Sequence, residues 1–92
     1  MLASYFIYKR VFPDGHFYVG LHYGTFIYET AAGGHGHFAD GYMGSGTLLE
    51  AWKNEPSNMY IIGVFSSRST AYKIEAKWIE YYRNDPLCLN VS

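Results

Sequence analysis

The sequence predicts an α+β domain: a small mixed or antiparallel sheet of three to four strands, begun by an N-terminal β-hairpin and flanked by helices. Three observations predict it. Two aromatic, β-branched runs, residues 4–12 and 16–22, flank a Pro13-Asp14-Gly15 turn. Met59-Tyr60-Ile61-Ile62-Gly63-Val64-Phe65 is an almost unbroken apolar run of strand length. Ala71, Ile74, Trp78, Ile79 and Tyr82 recur at helical spacing. With 92 residues the chain is read as one domain, residues 1–92, without a second core.

In chain order, the hairpin comes first. Phe6-Ile7-Tyr8 and Tyr18-Val19-Gly20 set two tyrosines ten positions apart, and a hairpin of this length can bring both phenols to one edge of a sheet. The apolar start MLASYFIYKRVF has no basic n-region and runs directly into the hairpin, so it reads as strand and not as a signal peptide. Residues 23–46 carry seven glycines and no clear period, the composition of a long functional or mobile connection. GSGTLLEAWKNE reads as a short helix, with Ser45 or Thr47 as N-cap and Pro56 beyond its end. The run Met59–Phe65, apolar on both faces, is expected at the centre of the sheet. Ser69-Thr70 then caps a helix from about Ala71 to Tyr82, and Leu87-Cys88-Leu89-Asn90-Val91 is short and extended. Trp52, Trp78 and Cys88 read as core.

Composition excludes several classes. At 49% hydrophobic and 20% aromatic, with ten Tyr and six Phe, the chain is neither disordered nor fibrous. A lone cysteine cannot form an internal disulfide, so a reducing, cytoplasmic setting is the simpler expectation. No apolar run approaches the ~18 residues of a membrane span. Net charge is −1, with seven basic residues against eight acidic, which leaves a weak electrostatic footprint for polyanions. A nucleic-acid function would therefore rest on a local site, on a dimer, or on a partner that brings the DNA.

Glu75 is the sharpest anomaly. It lies on the apolar stripe of the second helix, whereas Lys73 and Glu80 fall on the other side. A carboxylate there either reaches solvent or a basic partner at the stripe edge, or points into a cleft as a metal ligand. Asn90, in an otherwise apolar tail, is a turn or capping residue by itself. Beside Glu75 it could orient a carboxylate, a water or a phosphate. His35 and His37 are either two exposed loop histidines or a metal pair. Gly44-Ser45-Gly46 before a helix either makes a turn or lets backbone N–H groups approach a phosphate.

Taken together, the Phe6-Ile7-Tyr8 and Tyr18-Val19-Gly20 strands, a glutamate in a late amphipathic helix and an asparagine in the final strand resemble the GIY-YIG nuclease superfamily. Gly41-Tyr42-Met43-Gly44-Ser45-Gly46 before Leu48-Leu49 is similar to the G-Y-x-G-S-G-K-x-L segment of its small phage and bacterial branch. Gly20-Leu21-His22 stands where that branch has Gly-Lys-His. The resemblance covers nearly the whole chain. It implies a DNA endonuclease, encoded by a phage or mobile element and acting in the cytoplasm of a bacterial host, that hydrolyses phosphodiesters with one divalent metal, Mg²⁺ or Mn²⁺.

The same resemblance assigns the metal to Glu75 and the lining of the site to Tyr8 and Tyr18, one of them acting with the attacking water as general base. It assigns a hydrogen bond into the site to Tyr42 and a supporting role to Asn90. His22 can take the base role instead, and Gly44, Ser45 and Gly46 contact the substrate. A phenol with a reference pKa near 10 is a poor base unless the site lowers that value. The chain departs from the pattern at Leu21 and Thr47, where lysines are expected. His35, His37, Arg10 and Arg68 are the candidate substitutes. One such site cuts one strand, so double-strand cleavage implies a homodimer or two visits, and specificity implies a protein partner. A catalytically degenerate fold, acting as a protein- or nucleic-acid-binding or inhibitory module, is the alternative.

Overall fold

The computed structural model describes residues 3–29 and 34–90. Five strands and one α-helix follow in the order β1 (Ser4–Val11), β2 (Phe17–Gly24), β3 (Phe26–Tyr28), β4 (His35–Phe38), β5 (Asn58–Phe65) and α1 (Arg68–Tyr82), with a 3₁₀ turn at Leu48–Trp52. The strands form one sheet in the order β2-β1-β5-β4-β3, and every named pairing is antiparallel. The architecture is thus α+β with an N-terminal hairpin. β5 lies in the middle of the sheet, where an apolar run with two covered faces belongs.

The hairpin pairs Tyr8 with Gly20 and Arg10 with Tyr18, and strand alternation sorts the side chains. Ile7, Phe17 and Val19 point to one face, where Ile74, Trp78 and Tyr82 of α1 pack on them. Phe6 and Tyr8 point to the other, against Phe26, Phe38 and Met59. A register shift between β1 and β5 falls between Ile7 and Tyr8. It sends Ile61 to the Tyr8 face and the neighbouring Ile62 to the helix face, as an inserted bulge residue does.

Several expectations need correction. The sheet has five strands, not three to four, because the glycine-rich stretch contains β3 and β4. These strands span three and four residues, too few to show a period of two above the surrounding glycines. Among the described residues a single α-helix flanks the sheet, on the Ile7 face. The segment expected to be the first helix closes only a 3₁₀ turn between Gly46 and Pro56, too short to offset the cost of nucleating an α-helix. Neither expected cap works there: Thr47 makes no side-chain capping bond, and the Ser45 hydroxyl bonds Tyr42. α1 begins earlier than expected. Ser67 is its N-cap, accepting from Thr70 N–H at 3.4 Å.

The tail docks on the free edge of β2. Phe17 N–H donates to Leu87 O at 3.0 Å, and Leu89 N–H donates to Phe17 O at 2.7 Å. Asn90 continues the pairing with its side chain in place of backbone. Oδ1 accepts from Val19 N–H at 2.9 Å and Nδ2 donates to Val19 O at 2.7 Å. This edge, which would otherwise be unpaired, is thereby covered. Val91, the end of the expected extended tail, lies outside the described residues.

Candidate active site on the aromatic face of the hairpin

Tyr8 sits in the middle of an aromatic cluster. Its ring centroid is 6.2 Å from that of Tyr18, 6.1 Å from Tyr42 and 5.6 Å from Phe38. Gly20 lies beneath it, and a Cβ there would strike the Tyr8 hydroxyl. Gly44, with φ of +110°, and Gly46 press on the two phenols from above. A Cβ at Gly46 would collide with the Tyr18 ring, and one at Gly44 with Leu49. These glycines therefore serve close packing against aromatic rings. The 3₁₀ turn that follows has five residues and no α-helical end to present to a phosphate.

Tyr8 has no exposed surface, and among the described residues its hydroxyl is buried without a hydrogen-bond partner. The neighbouring Tyr42 hydroxyl does not reach hydrogen-bond geometry with it and instead bonds Ser45 Oγ at 3.1 Å. Burial pushes the Tyr8 phenol far above its usual range, and the neighbouring Tyr42, Tyr18 and Glu75 push the same way. Tyr18, half-buried, is also raised, chiefly by burial and then by Tyr42 and Glu75. Both phenols are therefore protonated near neutrality in the metal-free protein, contrary to what a hydroxyl acting as base requires.

His22 offers what the phenols lack. Its Nε2 lies 2.7 Å from Asp40 Oδ2, and its ring stacks on Tyr42 at 3.9 Å with 2° between the planes. Asp40 Oδ1 meanwhile accepts from Tyr42 N–H at 3.0 Å. Those bonds hold the Asp40 carboxyl below its usual range, the Tyr42 N–H contributing most. In the neutral imidazole, an ionised Asp40 as acceptor places the proton on Nε2 and leaves Nδ1 as an acceptor. Asp40 was not legible in the sequence as a site residue. An aspartate before a glycine, two residues ahead of Tyr42, signals a turn, which it also makes.

Glu75 occupies the core-facing stripe of α1, half-buried, with no hydrogen bond or ion pair among the described residues. Burial raises its carboxyl, and its charge is felt at both Tyr8 and Tyr18. Such a carboxylate gains from a cation. Among the described residues, no group of three or more His, Cys, Asp or Glu is gathered for a metal. A single carboxylate of this kind is a donor that a hard divalent ion, completed by water and phosphate, could use, and it is too few ligands for a tetrahedral zinc centre. His35 and His37 both lean on Glu29, with a ring nitrogen 3.9 and 3.0 Å from its carboxylate oxygens, at the β3–β4 end of the sheet.

The expected site residues accordingly fall in three places. Tyr8, Tyr18, His22, Tyr42, Gly44, Ser45 and Gly46 share one face of the hairpin. Glu75 stands apart from that cluster on α1, which packs on the opposite, Ile7 face of the sheet, and only its charge is felt at Tyr8 and Tyr18; among the described residues Asn90 meets the cluster through the backbone of Val19. Arg10 is 1% exposed and cannot reach a substrate. Its guanidinium donates to Ser57 Oγ at 2.8 Å, Met43 O at 3.1 Å and Lys53 O at 3.3 Å, pinning the loop that carries Tyr42. Leu21 packs toward α1. A concavity of about 540 Å³ along α1 gathers Ile74, Lys77, Trp78, Tyr81 and Tyr82, with no carboxylate or imidazole among them. No helix among the described residues is long and apolar enough to cross a membrane. No family model, curated protein or solved structure matches this chain.

Proposed function

We propose that this chain is a divalent-metal-dependent DNA endonuclease of the GIY-YIG type, encoded by a phage or mobile element and working in the cytoplasm of a bacterial host. One observation carries the reading. Glu75 is half-buried on α1 without a hydrogen-bond or ion-pair partner among the described residues, and its charge raises the two hairpin phenols that the resemblance singles out. Glu75 would hold Mg²⁺ or Mn²⁺, which when bound neutralises charge on the phosphate and the leaving oxygen.

The remaining steps belong to the chain's own residues. His22 Nδ1 accepts the proton of the attacking water, Asp40 fixes the tautomer that leaves Nδ1 bare, and Tyr42 stacks on the ring and holds its angle. Tyr8 and Tyr18 remain protonated and form the wall of the site. Water's oxygen bonds phosphorus as the bond to the leaving strand breaks, and the leaving oxygen takes its proton from solvent.

The second reading, a fold that binds DNA or protein without cutting, draws support from Leu21 and Thr47 at the lysine positions and from the complete burial of Tyr8. Supercoiled-plasmid nicking with Mg²⁺ or Mn²⁺, for the wild type beside Glu75→Gln, separates the two. The nuclease reading expects metal-dependent nicking by the wild type and its loss in the folded variant. An inert wild type favours the binding module.

A further inference from the structure

We propose that the groove between β2 and the start of α1 is a nucleotide subsite, in which Arg68 clamps a backbone phosphate of the DNA strand and Tyr23 and Tyr72 receive the adjoining base. The groove has a volume of about 310 Å³ and is lined by Tyr5, Leu21, His22, Tyr23, Arg68 and Tyr72. That volume lies at the small end of ligand sites, which span roughly 300–1,000 Å³.

Of the three arginines, Arg10 is buried and Arg83 pairs with Glu80, leaving Arg68 to face this cavity. Among the described residues Arg68 meets no carboxylate. Its Nη2 donates to the Tyr72 hydroxyl at 3.3 Å, and its Cζ lies 5.3 Å from the Tyr72 ring centroid, so the fork is held in place with donors to spare. Tyr23 is 56% exposed and Tyr72 48%, a large apolar area to leave in water. Tyr5 backs Tyr23 at 4.6 Å between centroids. Exposed aromatic faces beside a free guanidinium are the elements of a stacking platform for single-stranded nucleic acid.

The location matters as much as the composition. Leu21 lines the same groove, so a cation from α1 stands beside the position where the resemblance expects a lysine. His22 is shared with the candidate active site. Arg68, Tyr72 and Glu75 follow at i, i+4 and i+7 along one side of α1; Arg68 and Tyr72 line the groove, and Glu75 lies about one turn beyond them.

The inference rests on DNA being the substrate, and its test is binding without metal, separate from cleavage. The probe is a short fluorescein-labelled single-stranded oligonucleotide, followed by fluorescence anisotropy across a salt series. Arg68→Ala is expected to weaken binding on the order of 10-fold and to reduce the slope of log K against log salt by about 0.7, the share of one phosphate contact. Tyr72→Ala is expected to weaken binding with the slope unchanged, as loss of stacking does. Both residues are exposed, and circular dichroism checks that each variant folds. Wild-type affinity and slope in Arg68→Ala overturn the subsite even if the protein nicks plasmid. A wild type that binds no oligonucleotide overturns the subsite, and the nuclease reading is then judged apart, by plasmid nicking with metal.

Discussion

Tyr8 and Tyr18 lose solvent where Gly44 and Gly46 cover them, and both phenols titrate higher than a free tyrosine as a result. In the proposed reaction the neighbouring His22–Asp40 pair takes the water's proton in their place. Asp40→Asn tests this at the residue scale. The amide can donate to Nε2, which moves the imidazole proton to Nδ1 and blocks the acceptor. Cleavage is expected to fall about 10²–10⁴-fold, as when an orienting aspartate is lost elsewhere, while the ¹⁵N resonances of the His22 ring report the changed tautomer. A changed tautomer with undiminished cleavage removes His22 from the chemistry.

Glu75 allows a second test at this scale. Burial raises its carboxyl, so the native metal-free protein holds that proton more tightly than the unfolded chain does. The stability this supplies is complete below the ordinary carboxylate range and is lost as pH rises through the raised value. Glu75→Gln should therefore melt a few degrees above the wild type at neutral pH, and the difference should close on acidification. Thermal melts between about pH 4 and pH 8 read it directly. Tyr8, Tyr18 and Glu75 were legible because each breaks or punctuates a local pattern. Asp40 was not, because its partner His22 lies 18 residues away and turn chemistry accounts for an Asp-Gly pair by itself.

At the scale of elements, the hairpin, β5 and α1 were legible because each is long enough to display its period. β3 and β4 were hidden by their brevity, and the 3₁₀ turn was read as a helix because Leu48, Leu49 and Trp52 carry a helical spacing whether or not the turn propagates. The role of Asn90 needed the fold, since its two bonds go to the backbone of a strand 71 residues away. Asn90→Ala removes both. It should cost about 1–3 kcal/mol, the cost of a buried backbone group left without a partner. Chemical denaturation measures that loss. Amide exchange should show it concentrated at Val19, beside the Tyr18 ring, with the β5 amides protected as before.

At the scale of the molecule, one helix backs the sheet, and the opposite face carries the aromatic site under the Arg10-pinned loop. A net charge of −1 gives little long-range attraction for DNA, so affinity must come from local contacts such as the Arg68 groove. A single site of this kind opens one strand at a time. Linear product should therefore appear only after open-circular product has accumulated, unless two chains act together. The most direct measurement is plasmid cleavage by purified protein with Mg²⁺, in parallel with folded Glu75→Gln. The wild type should convert supercoiled to open-circular DNA in a metal-dependent way, and the variant should leave it supercoiled. Equal nicking by both proteins would contradict the assignment of the metal to Glu75 and, with it, the one-metal site.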